Sequence, residues 1–248
     1  MRRRLDDHLE LPDDLVLDIS GLVKNYHGVR PLRLERLRIG HGEQMAVVGL
    51  DAPAAEMLTT LVTAAALPDT GTIRVFGQTT ADIANQEQWL AVVDRLGLVT
   101  DRAALLDDLT VAQNIALPLT LDIDAIVDSA RHRVETLATE VGLPRAAWDR
   151  PVGSLDGEAR LRARLARAVA LDPGLLLLEH PTAQVARSAV TRLARELQSM
   201  AERRAIAMLV LTTDEALLRE ATWRVMDWDA ARGTLRERGR SWLSWGRP

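Results

Sequence analysis

The spacing of apolar residues changes period several times along these 248 residues. "LVLDISGLVKNY" (15–26) and "LRLERLRIG" (32–40) alternate apolar with polar, which predicts two half-buried strands. "EQMAVVG" (43–49) is a denser apolar run, the pattern of a strand covered on both faces. After it Leu58, Leu61, Val62 and Ala65 fall at helical spacing, and "LPDTGTIRVFG" (67–77) reads as turn, strand, turn. From about Gln86 to Pro151 the pattern is mostly helical, clearest in Ile126, Ala130, Val134, Leu137 and Val141. A proline-containing linker, "PRAAWDRPVGSL", leads into "EARLRARLARAVALD", where Leu161, Leu165, Ala168 and Val169 share one helix face. "GLLLLEHP" and "AIAMLVLTT" are short continuous apolar runs of the kind found in central parallel strands, and "WRVMDWD" adds one more strand. Strands at both ends of the chain with helices between them predict an α/β fold, a parallel sheet core carrying an inserted helical subdomain.

These patterns divide the chain into a polar lead-in (1–13), one domain (14–235) and a basic tail with tryptophans (236–248). Within the domain the core takes about 14–85 and 160–235, and the helical subdomain about 86–159. A composition that is 47% hydrophobic is enough to bury a core of that size. The net charge of −4 leaves no basic footprint for nucleic acid. The absence of cysteine removes disulfides, thiolate metal sites and cysteine nucleophiles. The start has basic residues but no apolar signal-peptide region, and no run approaches the roughly 20 apolar residues of a membrane span. A cytoplasmic protein is the expectation. Of 31 basic residues only Lys24 is a lysine, and this bears on the chemistry below.

Three stretches, "LPDTGTIRVFG", "LLDDLTVAQNIALPL" and "LARAVALDPGLLLLEHPTA", resemble the ATP-binding subunit of an ATP-binding-cassette (ABC) transporter, in that family's order and spacing. The resemblance covers roughly residues 15–235. It implies a P-loop NTPase-like fold, a mixed sheet core flanked by helices with an inserted helical subdomain. It also implies Mg-ATP as cofactor if the site works, a membrane subunit and a second cassette (the same chain or another) as partners, and a place at the inner face of the cell membrane.

Carried over residue by residue, the family's site is altered at most stations. The adenine-stacking aromatic corresponds to Tyr26. In the phosphate loop, Gly49 stands for the first glycine, Ala54 for the second, Ala55 for the lysine and Glu56 for the Mg²⁺-holding hydroxyl, and Pro53 removes a backbone donor. Lys24 lies too far upstream to replace the loop lysine. The Q-loop glutamine corresponds to Asp101, and the signature to Leu155, Asp156, Gly157, Glu158 and Ala159. Asp156 and Glu158 would then present negative charge where a phosphate is expected. Glu179 stands for the Walker B aspartate, His180 for the catalytic glutamate, Ala186 for the D-loop aspartate and Thr213 for the switch histidine. Phosphoryl transfer depends on positioning and positive charge, so this pattern argues against hydrolysis, against a bound nucleotide and against a metal site.

The stretch that would line the groove for a membrane subunit keeps Leu105, Leu106, Leu109, Val111 and Ile115, although core packing accounts for most of these five. Three functions follow. The first is a catalytically degenerate cassette acting as a structural or regulatory subunit. The second is an ATPase with an atypical site that borrows positive charge from Arg30, Arg102 or a partner. The third is a soluble interaction module unrelated to transport. The tail adds Trp242, Leu243 and Trp245 among arginines, residue types favoured at interfaces.

Overall fold

The computed structural model describes residues 14–239, so the lead-in and the tryptophans of the tail lie outside the described residues. The first strands are β1 (Leu15–Lys24), β2 (Leu32–Gly40) and β3 (Gln44–Val48), followed by helix α1 (Ala52–Val62). Then come β4 (Thr70–Val75), the short β5 (Gln78–Thr79), α2 (Gln86–Val93) and β6 (Leu96–Val99). Helices α3 (Val111–Ala116), α4 (Asp128–Glu140) and α5 (Gly157–Ala168) precede β7 (Leu175–Glu179). The chain continues through α6 (Arg187–Arg204), β8 (Ala207–Thr212), α7 (Glu215–Arg219), β9 (Arg224–Asp229) and β10 (Thr234–Glu237).

Two sheets form. An antiparallel one has the order β2-β1-β4-β5, and a larger one the order β10-β9-β3-β8-β7-β6, parallel except for β10. The apolar runs are continuous because the larger sheet has a core on each face. Met45, Val47, Leu175, Leu177, Leu209 and Leu211 join α1 and the antiparallel sheet in one core. Their neighbours Ala46, Val48, Leu176, Leu178, Met208 and Val210 face the other way, against α3 to α7. Side chains of period two thus sort themselves into two cores from a single strand.

Three sequence expectations shift. The helical stretch 86–151 contains β6, which pairs in parallel with β7, from Leu96 opposite Leu175 to Val99 opposite Leu178. Four residues are too few to show a strand period, and the pairing partner lies some eighty residues away. Helix α1 ends at Val62 and Ala64 turns left-handed (φ 55°), so Ala65 lies beyond the helix. The last strand runs to Glu237, past the expected domain end at 235. Among the described residues no helix is long and apolar enough to cross a membrane.

Charged side chains tie the helical layer together. Arg204, at the end of α6, donates to both oxygens of Glu140 on α4 and to Asp172 (2.7 Å). The Arg204 hydrogen bonds hold the Glu140 carboxyl below the usual range. Its folded pKa is the lower one, so its stabilisation is full above the unfolded value near 4.3 and disappears as the pH falls through the folded value. Melting temperature against pH should therefore fall more steeply in acid for the native chain than for Glu140→Gln. Parallel profiles would refute the assignment.

Candidate functional site

The junction of β3 and α1 occupies the phosphate-loop station. Gly49 turns the chain at φ 103°, and a Cβ there would sit 3.3 Å from the Trp228 carbonyl oxygen, so glycine suits both the backbone angle and the close approach. The helix then starts early. Leu50 and Asp51 alone separate Gly49 from Ala52. Asp51 caps α1, its Oδ1 accepting the Ala54 amide at 2.9 Å. The Ala55 amide donates to the Asp51 carbonyl, and Pro53 has no amide hydrogen. A helix N-terminus attracts anions through its first amides. Here the chain's own carboxylate fills that role.

Ala54 and Ala55, aligned with the glycine and lysine of the loop, are buried with Leu58 and Leu61 in the core between the sheets. They do not line the adjacent cavity. Glu56, one position on, is exposed and does line it.

That cavity, of about 660 Å³, lies between α1, the loop after β6, the end of β7 and the end of β8. Asp51, Glu56, Asp101, Glu179 and Asp214 put five carboxylates on its wall. Arg102 crosses it. Its Nη2 donates to Glu179 Oε1 at 2.9 Å, and its Nη1 lies 3.4 Å from Glu56 Oε1. The same guanidinium donates to Thr60 Oγ1 (2.8 Å) and the Glu56 carbonyl (3.2 Å), stapling α1 to the end of β7. Glu179 is the most enclosed of the three charges, its side chain 11% exposed.

His180 and Thr213 also line the cavity. His180 is left-handed (φ 42°), held by its amide bond to Leu211 (2.8 Å). Asp214 caps α7 and accepts from Thr182 (2.8 Å) and Arg187 (2.7 Å). Burial pushes its carboxyl up, but these hydrogen bonds and the Arg187 charge outweigh burial and hold it below the usual range. Tyr26 stands outside the lining, half-buried against the core between the sheets, with Gly28 set against its ring. Burial, and then the Asp51 charge, raise its hydroxyl above the ordinary value. Arg30 is exposed and does not line the cavity.

The signature station repeats the capping theme. Asp156 caps α5, its Oδ1 accepting the Ala159 amide at 2.8 Å. Gly157 lies so close to the following loop that a Cβ would meet the Gln184 carbonyl oxygen at 1.9 Å. Glu158 departs from expectation. Its charge turns inward to Arg162 (2.8 Å) and Arg192 (2.6 Å) instead of standing free. Leu155 and Ala159 pack against the helical core, and Ala186 caps α6 without a side-chain bond. Asp101, at the Q-loop station, pairs with Arg164 (3.1 Å). Two more arginines of α5 grip the same loop, Arg160 through Asp107 (2.7 Å) and Arg167 through the carbonyls of Ala103 and Ala104.

Of the five candidate docking residues, Leu105, Val111 and Ile115 are core. Leu106 is exposed and Leu109 half-buried, so these two are what the surface offers. Sequence reading missed what holds them in place. Asn114, fully buried, accepts from the Leu106 amide (2.8 Å) and donates to the carbonyls of Leu106, Leu109 and Thr110. It also missed Asp51, Arg164 and Asp214. The one available signal was a capping acid three residues before a helical amide, at Asp51 and at Asp156.

A family model described as ABC transporter matches residues 35–183. The sulfate/thiosulfate import ATP-binding protein CysA 2 of Chromobacterium violaceum is 31% identical over 87% of this chain, which spans 57% of that protein's length. The lipoprotein-releasing system ATP-binding protein LolD 1 of Caulobacter vibrioides is 26% identical over 82% of this chain and 88% of its own. Among solved structures, a dimeric post-hydrolysis state of the ATP-binding cassette MJ0796, bound to ADP and Pi, matches with a TM-score of 0.74 and 21% identity. That match covers 90% of this chain and 97% of the other.

Proposed function

The chain belongs to the ABC transporter family, and we propose that it serves there as a cassette kept for its shape, a structural or regulatory subunit that does not hydrolyse ATP. It docks to a membrane subunit at the inner face of the membrane and pairs with a second cassette. The observation that carries this reading is the Glu56–Arg102–Glu179 bridge across the cavity. Arg102, the guanidinium in the cavity lining, is already held by two carboxylates, and the Ala54 amide at the helix start is taken by the Asp51 carboxylate.

The residues present do not fit Mg-ATP. A phosphate oxygen about 4 Å from a carboxylate is repelled by up to roughly 4 kcal/mol at an effective dielectric of 20, and by less where an arginine already pairs with it, as at Glu56, Asp101, Glu179 and Asp214. Five carboxylates face the cavity against the single guanidinium of Arg102 in its lining. For docking, Leu106 and Leu109 are the apolar side chains offered by the loop that Asn114 pins, and the relatives named as ATP-binding proteins of import and lipoprotein-release systems support a membrane partner.

Titration calorimetry of the full chain with Mg-ATP should give no saturable heat up to millimolar nucleotide. Micromolar binding would sink the proposal. One observation favours a second reading, an atypical ATPase, because Arg102 does reach α1 from outside the loop. In that case the native chain binds Mg-ATP and Arg102→Ala abolishes the binding.

A further inference from the structure

The three segments at the Q-loop, signature and catalytic-glutamate stations enclose a second, much smaller cavity of about 20 Å³. Asp101, Gly157, Arg164, Glu179, His180 and Gln184 are among its walls. The close approach of Gly157 to the Gln184 carbonyl seals one side. Two buried polar atoms on residues of this wall have no hydrogen-bond partner in the protein, Arg164 Nε and His180 Nε2. The other end of the Arg164 guanidinium is engaged by Asp101, and only 13% of the side chain is exposed.

A buried polar group without a partner is strongly disfavoured, and native interiors meet it with protein or with ordered water. A water needs roughly 10–15 Å³ of such space and two to four polar partners. This cavity, about 20 Å³, has room for a water. The two orphans are complementary when His180 is neutral with its proton on Nδ1: Arg164 Nε–H can only donate, and Nε2 can then only accept. A water joins them, accepting from the first and donating to the second, and Glu179 offers its other hydrogen an acceptor on the same wall. A chloride would satisfy the arginine and leave a neutral imidazole unmet.

We propose that a single buried water occupies this cavity, bridging Arg164 Nε–H to His180 Nε2 and joining α5, the loop after β6 and the end of β7 into one hydrogen-bonded unit. His180 then carries its proton on Nδ1. The water's hydrogen bonds are spent inward, so it is a structural component and not a nucleophile. The inference holds whether or not nucleotide binds in the larger cavity.

A crystal structure of the full chain, at a resolution that shows ordered solvent, should place one spherical density peak within hydrogen-bond distance of both atoms. Long-range ¹H–¹⁵N spectra of the same protein should show neutral His180 protonated on Nδ1. As a second line, His180→Leu should lower Tm by about 2–12 °C through the stranded arginine donor, while His180→Gln, which keeps an acceptor, loses less. The proposal is overturned by a cavity without density, by a peak that refines as an anion, by either atom paired directly with protein, or by a proton on Nε2. Equal losses in the two variants would also count against it.

Discussion

Arg162→Ala should reduce the unfolding free energy by about 1–3 kcal/mol, the cost of leaving a buried acceptor without its donor. Calorimetric melting should show this as a fall in Tm of roughly 2–12 °C. Arg162 is 7% exposed in α5 and serves three elements at once. It donates to the Val141 carbonyl at the end of α4, to Glu158 one turn back in its own helix (2.8 Å), and to Glu196 on α6 (2.6 Å). Burial is the largest influence on the guanidinium and opposes its charge, yet the two carboxylates together raise its pKa above the ordinary value. Truncation leaves the Val141 carbonyl without that donor in the helical layer, while Glu196 is exposed and keeps Arg192 at 3.8 Å. Glu158 keeps Arg192, so the loss falls short of a complete collapse of the network. Arg162→Met retains the apolar stem and should lose less, separating packing from charge. A loss under about 1 kcal/mol, the level of a surface ion pair, would refute the role given to Arg162.

Rewriting the loop toward the family motif, with Ala55→Lys and Glu56→Ser together, should give no Mg-ATP binding and a less stable protein. Alignment alone suggests the opposite. The structure puts Ala55 at 0% exposure in the core between the two sheets. A lysine there must overpack that core, at about 1–3 kcal/mol, and must also carry its ammonium out of an apolar setting. The rewritten loop would still have Asp51 on the first amides and Pro53 in the first turn. Removing the Glu56 carboxylate leaves Arg102 on Glu179, Thr60 and the backbone carbonyl of residue 56, so the bridge to β7 stays intact. Calorimetry and thermal melting of the double variant read both parts. Micromolar affinity in a well-folded variant would show that the side chains at 55 and 56, and not the Asp51 cap and Pro53, decide nucleotide binding.

Local patterns carried much of the architecture. The run "LLLLE" announced a central strand because a strand covered on both faces needs apolar residues at every position, and β7 is covered on both. The period in Ala130, Val134 and Leu137 placed α4 because helix burial repeats every 3.6 residues. The four residues of β6 stayed hidden in a helical stretch, since its evidence is the pairing with distant β7.

The candidate site divides along the same line. Side-chain identity is legible in one dimension, so the sequence alone shows Ala55, Asp156 and His180 at the stations where the family resemblance expects a lysine, a serine and a glutamate. What fills their places is a property of distance. Glu56, Arg102 and Glu179 stand far apart in the chain and meet only because α1, the loop after β6 and the end of β7 converge on one cavity. Glu158 looked like an exposed acid until α6 brought Arg192 beside it. By itself the sequence determined most of the longer elements and the side-chain types at the site, because both depend on local periodicity and residue identity. Only the tertiary structure decided that the cleft is bridged by an ion pair and its amides capped, because Coulomb attraction and hydrogen bonding act through space and not along the chain.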